Sequence, residues 1–169
     1  KMQGMFPYAN CYSLKESKTW FEKLNISQKI ESDLPIERAI FSLLHICMMK
    51  LDISMVTWIF HALESIYGTN SGRGFNDMSS QIFFLLKIPE RKQKSFKKKL
   101  RELNDLRSSF VHGGYKVPHP LNDDINEQIY ELTNFGVVLI ICSLQQLMKN
   151  NWSGLKVSEV YEGNMCEHS

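Results

Sequence analysis

The 169-residue sequence predicts an all-α protein on three observations. Apolar residues recur at three- and four-residue spacing through each long segment. Capping and stop signals bound those segments at helical lengths. A composition of 43% hydrophobic and 22% charged residues is that of a globular chain, long enough for one domain plus an appendage and for a real core.

Residues 1–12 read as irregular. Ser13 to Glu16 (SLKE) has the form of a capping box, which starts a first helix carrying Trp20, Phe21 and Leu24. The polar stretch Asn25 to Ser32 ends that helix and closes an N-terminal extension, residues 1–32. Ser32, Asp33, Pro35 and Glu37 then combine N-cap, early proline and first-turn acid, so a second helix runs to about Lys50. Its apolar residues, among them Ile40, Phe41, Leu44, Ile46 and Met48, lie on most sides, which predicts a central helix. Asp52 is placed to cap a third helix, Ile53 to Tyr67, in which Val56, Ile59, Phe60, Leu63 and Ile66 keep the helical period and Glu64 interrupts it. Gly68 to Gly74 (GTNSGRG) fails the phosphate-loop template, because no strand precedes it and no Gly-Lys-Ser/Thr follows; it reads as a connector.

Asn76 to Lys87 gives a shorter helix with Ile82, Phe83, Leu85 and Leu86 in its apolar set. Pro89 and Glu90 open the next, which runs through a basic segment to Arg107 and His112 and stops at Gly113-Gly114. After a loop holding Pro118 and Pro120, Asn122 or Asp123 caps a last helix that reaches about Asn150. Ile125, Ile129, Leu132, Gly136, Leu139, Ser143 and Leu147 step along it by fours and threes. Val137 to Ile141 is β-branched enough for a strand, but length and caps favour helix. Residues 33–150 therefore form the main domain, and residues 151–169 read as one short turn and a frayed tail.

Net charge is only +2, but Glu90 to Arg101 (ERKQKSFKKKLR) holds seven basic residues against one acid, a localised basic patch. Such a cluster is either a solvated face or a track for phosphates, and for the second role Lys94, Lys97, Lys98 and Arg101 are the candidates. Cys11, Cys47, Cys142 and Cys166 form no CxxC pair and suit reduced thiols of a cytoplasmic protein. No cofactor motif appears. His45 and Cys47 diverge on their helix, and Cys166 and His168 fall in a tail expected to be disordered rather than to form a ligand set, so no metal site is expected. The longest apolar run, Phe135 to Leu144, falls short of the roughly 20 residues of a membrane span, and no signal peptide is evident. The chain opens at Lys1, which leaves room for other domains of a longer parent.

Arg107 and His112 are the candidates for chemistry, although an arginine and a histidine at this spacing also occur often by accident. Arginine offers a planar fork of donors to phosphate oxygens, and histidine can take or give a proton near neutral pH. Those two types suffice for metal-independent RNA cleavage, with histidine moving the proton of a ribose 2′-hydroxyl or of the leaving 5′-oxygen and arginine stabilising charge on phosphorus. The alternative is structural: a histidine before a helix-ending glycine often only meets free carbonyls. Five residues put the two side chains about 140° apart on an ideal helix, whereas Ser108 and His112 share a face. Either the last turn loosens, or a second copy supplies the missing half. His61 lies on one side of its helix with Glu64, where a structural hydrogen bond between them is expected ahead of a catalytic pair.

The run LRELNDLRSSFVHGG, with PERKQKSFKKK before it and FHALESIYG further upstream, resembles the HEPN superfamily, specifically its Apea-like group, over about residues 33–150. The resemblance implies an antiparallel helical bundle with an N-terminal helical extension. It matches Arg107 and His112 to an R-x4-6-H motif, Ser108 to the polar position after the arginine, and Glu64 to an acidic helix position. Many active members carry asparagine, aspartate or histidine where this chain has Ser108. Family members are commonly ribonucleases that dimerise so that two motifs meet in one cleft; others are non-catalytic modules. A homodimeric, metal-independent endoribonuclease in a defence context is thus the activity implied, with RNA as its partner.

Overall fold

A computed structural model describes residues 7–49, 52–68, 74–119, 121 and 123–156, without the side chains of 123–126. Most of the glycine-rich connector, Pro120, Asn122, the Ile125 side chain and the Cys166 to His168 segment lie outside the described residues. Within them are six α-helices and no strand: α1 (Leu14–Leu24), α2 (Pro35–Met48), α3 (Met55–Tyr67), α4 (Gly74–Leu86), α5 (Glu90–Val111) and α6 (Asp123–Lys149).

Local chemistry explains the helix starts. At α1 the capping box forms as expected: Ser13 Oγ accepts the Glu16 N–H at 3.2 Å, and Glu16 Oε2 accepts the Ser13 N–H at 3.1 Å. At α2 neither Ser32 nor Asp33 caps; Leu34 is the N-cap, Pro35 follows, and the cap is made from within by Glu37. Its carboxylate, only 1% exposed, accepts the N–H groups of Asp33 at 2.8 Å and Leu34 at 2.9 Å and lies 3.4 Å from Lys29 Nζ. The Leu34 N–H first, then the Asp33 N–H and the Lys29 charge, hold that carboxyl below its ordinary 4.5 although burial opposes them. A group depressed in the folded state stabilises above its unfolded pKa and loses that contribution as pH falls through the folded value. Thermal melts should therefore drop as pH falls below about 4.5, and Glu37→Gln should melt lower at neutral pH with a flatter acid slope.

Asp52 does not cap α3 directly. Its Oδ1 takes the Ser54 N–H at 2.6 Å and the Ser54 hydroxyl as well, a local turn that delays the helix to Met55.

The central helix is α3, not α2 as its apolar content suggested. α3 packs against α2, α4, α5 and α6, and eight of its residues from Met55 to Tyr67 are buried. α2 packs chiefly on α3, which leaves Leu44 and Met48 on its outer side 53% and 87% exposed. Apolar content alone does not count neighbours.

α6 fills the remaining side with Leu132, Phe135, Leu139, Ile140 and Leu147, all buried. Its segment Glu127–Lys149 is long and apolar enough to cross a membrane by length and composition, but over half of its most apolar window is buried in the bundle. A close approach occurs at Gly136, where a Cβ would stand 2.6 Å from Ile59 Cγ2 of α3 and 3.1 Å from Leu103 Cδ2 of α5. Buried Ser143 on this helix is satisfied: its Oγ donates to the Leu139 carbonyl at 2.7 Å and so accepts from the Tyr67 hydroxyl at 2.6 Å, joining α3 to α6, whereas the buried Asn134 Nδ2 has no hydrogen-bond partner among the described residues. Burial pushes the Tyr67 phenol up, which keeps it a donor.

α1 is tied to the far end of α6 rather than standing apart. Trp20 is buried and its Nε1–H donates to the Trp152 carbonyl at 3.1 Å, while Lys23 Nζ donates to Asn151 Oδ1 at 2.8 Å. Cys11 and Cys47 are exposed free thiols; Cys142 is buried, which pushes its thiol up to about 11.

Candidate functional site

α5 has two faces, and the motif residues are divided between them. Phe96, Leu100 and Leu103 are buried toward the bundle, and Arg107, one turn beyond Leu103, continues that inward row where the bundle opens. Its guanidinium meets Glu64 of α3, Nη2 to Oε1 at 3.4 Å, and its Cζ lies 5.2 Å from the Phe60 ring centroid. The Arg107 and Glu64 side chains are 35% and 39% exposed, so the ion pair is worth at most about 1 kcal/mol. Its consequence is orientation: a guanidinium held by one carboxylate and one ring still has N–H donors to give.

His112 sits outside that row. α5 ends at Val111 with His112 as C-cap, its N–H bonded to the Ser108 carbonyl at 3.0 Å. The last turn tightens only afterwards: Gly113 adopts φ +74°, a conformation that favours glycine, and its N–H reaches the Phe110 carbonyl at 3.3 Å. Tyr115 folds the chain back, with its N–H on the Ser109 carbonyl at 2.9 Å and its ring edge-on to Phe110, centroids 6.3 Å apart. The His112 ring is exposed and has no hydrogen bond, ion pair or ring contact among the described residues. The backbone thus stays helical to Val111 and the His112 N–H keeps its helical bond to Ser108, so the divergence of about 140° expected on an ideal helix applies to Arg107 and His112.

Ser108 is half-buried, on the His112 side, and only its backbone is hydrogen-bonded among the described residues. On the outer face, Lys94, Lys98, Arg101, Ser108 and His112 fall within an arc of about 80° at ideal helical pitch. Lys94, Lys97, Lys98 and Arg101 line one shallow depression of about 630 Å³ together with Arg91 and Ser95. Two carboxylates lie between this basic stretch and His112: Glu102, 3.8 Å from Lys98, and exposed Asp105. If the lysines contact phosphates, RNA affinity should fall as salt rises. A Lys94→Gln, Lys97→Gln, Lys98→Gln triple variant should flatten the log–log slope by about 2 for a single strand, as three lost contacts of about 0.7 each require. An unchanged slope in a titration by fluorescence anisotropy would return the patch to a solvated face.

Another depression, of about 620 Å³, lies between α4 and the chain beyond α6, lined by Ser80, Gln81, Phe84, Trp152 and Leu155. Its lining includes none of the motif residues.

His61 does not bond Glu64 as its spacing suggested. Its Nδ1 lies 2.7 Å from Ser42 Oγ of α2, while Glu64 is taken by Arg107. Sequence reading also missed the Phe60 ring beneath Arg107, the stacking of His45 on Trp58 (centroids 4.3 Å apart) and the return of Tyr115. Each depends on which helices adjoin, which spacing along one helix does not carry. No family model, curated protein or solved structure matches this chain.

Proposed function

We propose that this chain is an HEPN-like, metal-independent endoribonuclease whose working site draws Arg107 from one copy and His112 from a second. The observation that carries the reading is the divided helix end: an arginine held half-exposed by Glu64, and an exposed histidine at the helix C-cap whose ring has no partner among the described residues. One chain thus offers both halves of a cleavage site on diverging faces of one helix, an arrangement that supports a site shared between two chains. The segment RSSFVHG, residues 107–113, and the acidic Glu64 support the same reading through their likeness to the HEPN motif. In it, Arg107 neutralises charge on phosphorus and His112 moves a proton at the ribose or at the leaving oxygen. The basic outer face of α5 would gather the strand.

The test is product chemistry. Purified protein should cut RNA in the presence of a chelator and leave a 2′,3′-cyclic phosphate and a 5′-hydroxyl, because the 2′-oxygen is the nucleophile. A substrate with a single 2′-deoxy linkage at the cleavage position should stay intact there. The competing reading is a non-catalytic module that binds RNA, nucleotide or a protein, favoured by the fact that Arg107 already has Glu64 and Phe60 as partners. Protein that binds RNA and never cuts it would establish that reading instead.

A further inference from the structure

Building on the ribonuclease reading, we propose that His61 on α3 is a second catalytic histidine, the base that takes the 2′-hydroxyl proton beside Arg107 of its own chain. The argument starts with one buried hydroxyl. Ser42 is 1% exposed, and its Oγ lies 2.7 Å from the Arg38 carbonyl oxygen and 2.7 Å from His61 Nδ1. A carbonyl can only accept, so the single Ser42 proton goes to Arg38; without it, two lone pairs would face each other at that distance. Oγ is then the acceptor toward the ring, and Nδ1 must carry the hydrogen. Neutral His61 is therefore the Nδ1–H tautomer, with the lone pair on Nε2.

That nitrogen is free to work. The His61 residue is exposed, and Nε2 has no hydrogen-bond partner among the described residues. The ring is braced by Ser42 on one side and by the Trp58 edge on another, centroids 6.1 Å apart at 76°, and Trp58 is itself stacked on His45. A base oriented through its second nitrogen by a fixed acceptor is the arrangement that general-base histidines require. Ser42 does not depend on the ring for its own proton, which is already placed on Arg38.

Position supplies the rest. His61 and Glu64 are three apart on α3, neighbours with Cβ atoms about 5–6 Å apart, and Glu64 holds Arg107 at 3.4 Å. Glu64 thus links the two groups, ion-paired to Arg107 and about one helical turn from His61. The charged and titratable groups that these contacts link to the ring are Arg38 through Ser42, His45 through Trp58, and Arg107 through Glu64, and Arg38 Nη1 donates to the Asp33 carbonyl at 2.8 Å. In the step, His61 Nε2 takes the 2′-O–H proton as the 2′-oxygen bonds to phosphorus. The P–O5′ bond breaks, and His112 from the second copy, entering protonated, gives its proton to the 5′-oxygen. Solvent returns both rings to their starting states, so no further reactant is needed.

Two measurements test this. ¹⁵N shifts of the full-length protein should show neutral His61 as the Nδ1–H tautomer, and the Nε2–H tautomer would overturn the proposal. His61→Ala should lose cleavage by about 10²-fold with RNA binding and melting temperature unchanged, and added imidazole should recover part of the lost rate there but none in Arg107→Ala. Wild-type cleavage by His61→Ala alongside a dead His112→Ala would overturn the role of His61 and leave the ribonuclease reading standing. Parent protein that never cuts RNA would remove that reading and, with it, the step assigned to His61.

Discussion

Gly136→Val should lower the melting temperature by about 4–8 °C, the shift that about 2 kcal/mol produces in a chain of this size. The cause is overpacking. A Cβ at position 136 would stand 2.6 Å from Ile59 Cγ2, against a comfortable carbon–carbon separation of about 3.5–4.0 Å, and valine adds two more methyl groups to that gap. Ile59 and Leu103, the residues in the way, are both 0% exposed, so neither can swing into solvent. Forcing extra carbon into such a place costs about 1–3 kcal/mol or more, while leaving glycine behind in a helix returns at most about 1 kcal/mol. Gly136→Ala should fall between wild type and valine, since it takes the first clash alone and the full propensity gain. The effect reaches the site, because Ile59 and Leu103 belong to the two helices that hold Glu64 against Arg107. A Gly136→Val protein melting at or above the wild-type temperature in a circular-dichroism scan would mean that α6 does not approach α3 and α5 this closely.

What was legible in the sequence follows the reach of each signal. The stepping series Ile129, Leu132, Gly136, Leu139, Ser143 and Leu147 is a one-helix pattern, and every member is buried. Ser13 and Glu16 cap α1 as written, because a capping box needs only four consecutive residues. Prediction weakened where two local partners competed: Asp52 had the right type for an N-cap but spends its carboxylate on Ser54. It failed where helices meet. Glu64 can bond His61 on its own helix or Arg107 on α5, and which it takes depends on how α3 and α5 pack; the same packing puts Phe60 under the guanidinium. Ser42 and His61 are nineteen positions apart on two helices, and no periodicity links them. The candidate pair was singled out by type and spacing, and so was its difficulty, since a helix held to Val111 keeps Arg107 and His112 on diverging faces.

That divergence makes the second large effect a distinctive one. Arg107→Ala and His112→Ala should each lose RNA cleavage by about 10² or more, the usual size of a lost acid–base or charge-stabilising group. Neither should lose much thermal stability, because His112 is exposed and the Arg107–Glu64 pair is worth at most about 1 kcal/mol. Mixing the two dead proteins is the sharper experiment. In a two-fold dimer each cleft takes Arg107 from one copy and His112 from the other, so a mixed dimer has one cleft with both residues intact and one with neither. With equal amounts and free exchange, half the dimers are mixed and activity should return to about a quarter of the wild-type level. Light scattering of the wild type should correspondingly report twice the 19.7 kDa protomer mass. Were Arg107 and His112 instead to act within one chain, the mixture would stay as dead as its components, and a 19.7 kDa particle that still cut RNA would say the same. Recovery on mixing can come only from a cleft shared between chains, so the activity of the mixture reports directly on the 140° between two side chains at the end of α5.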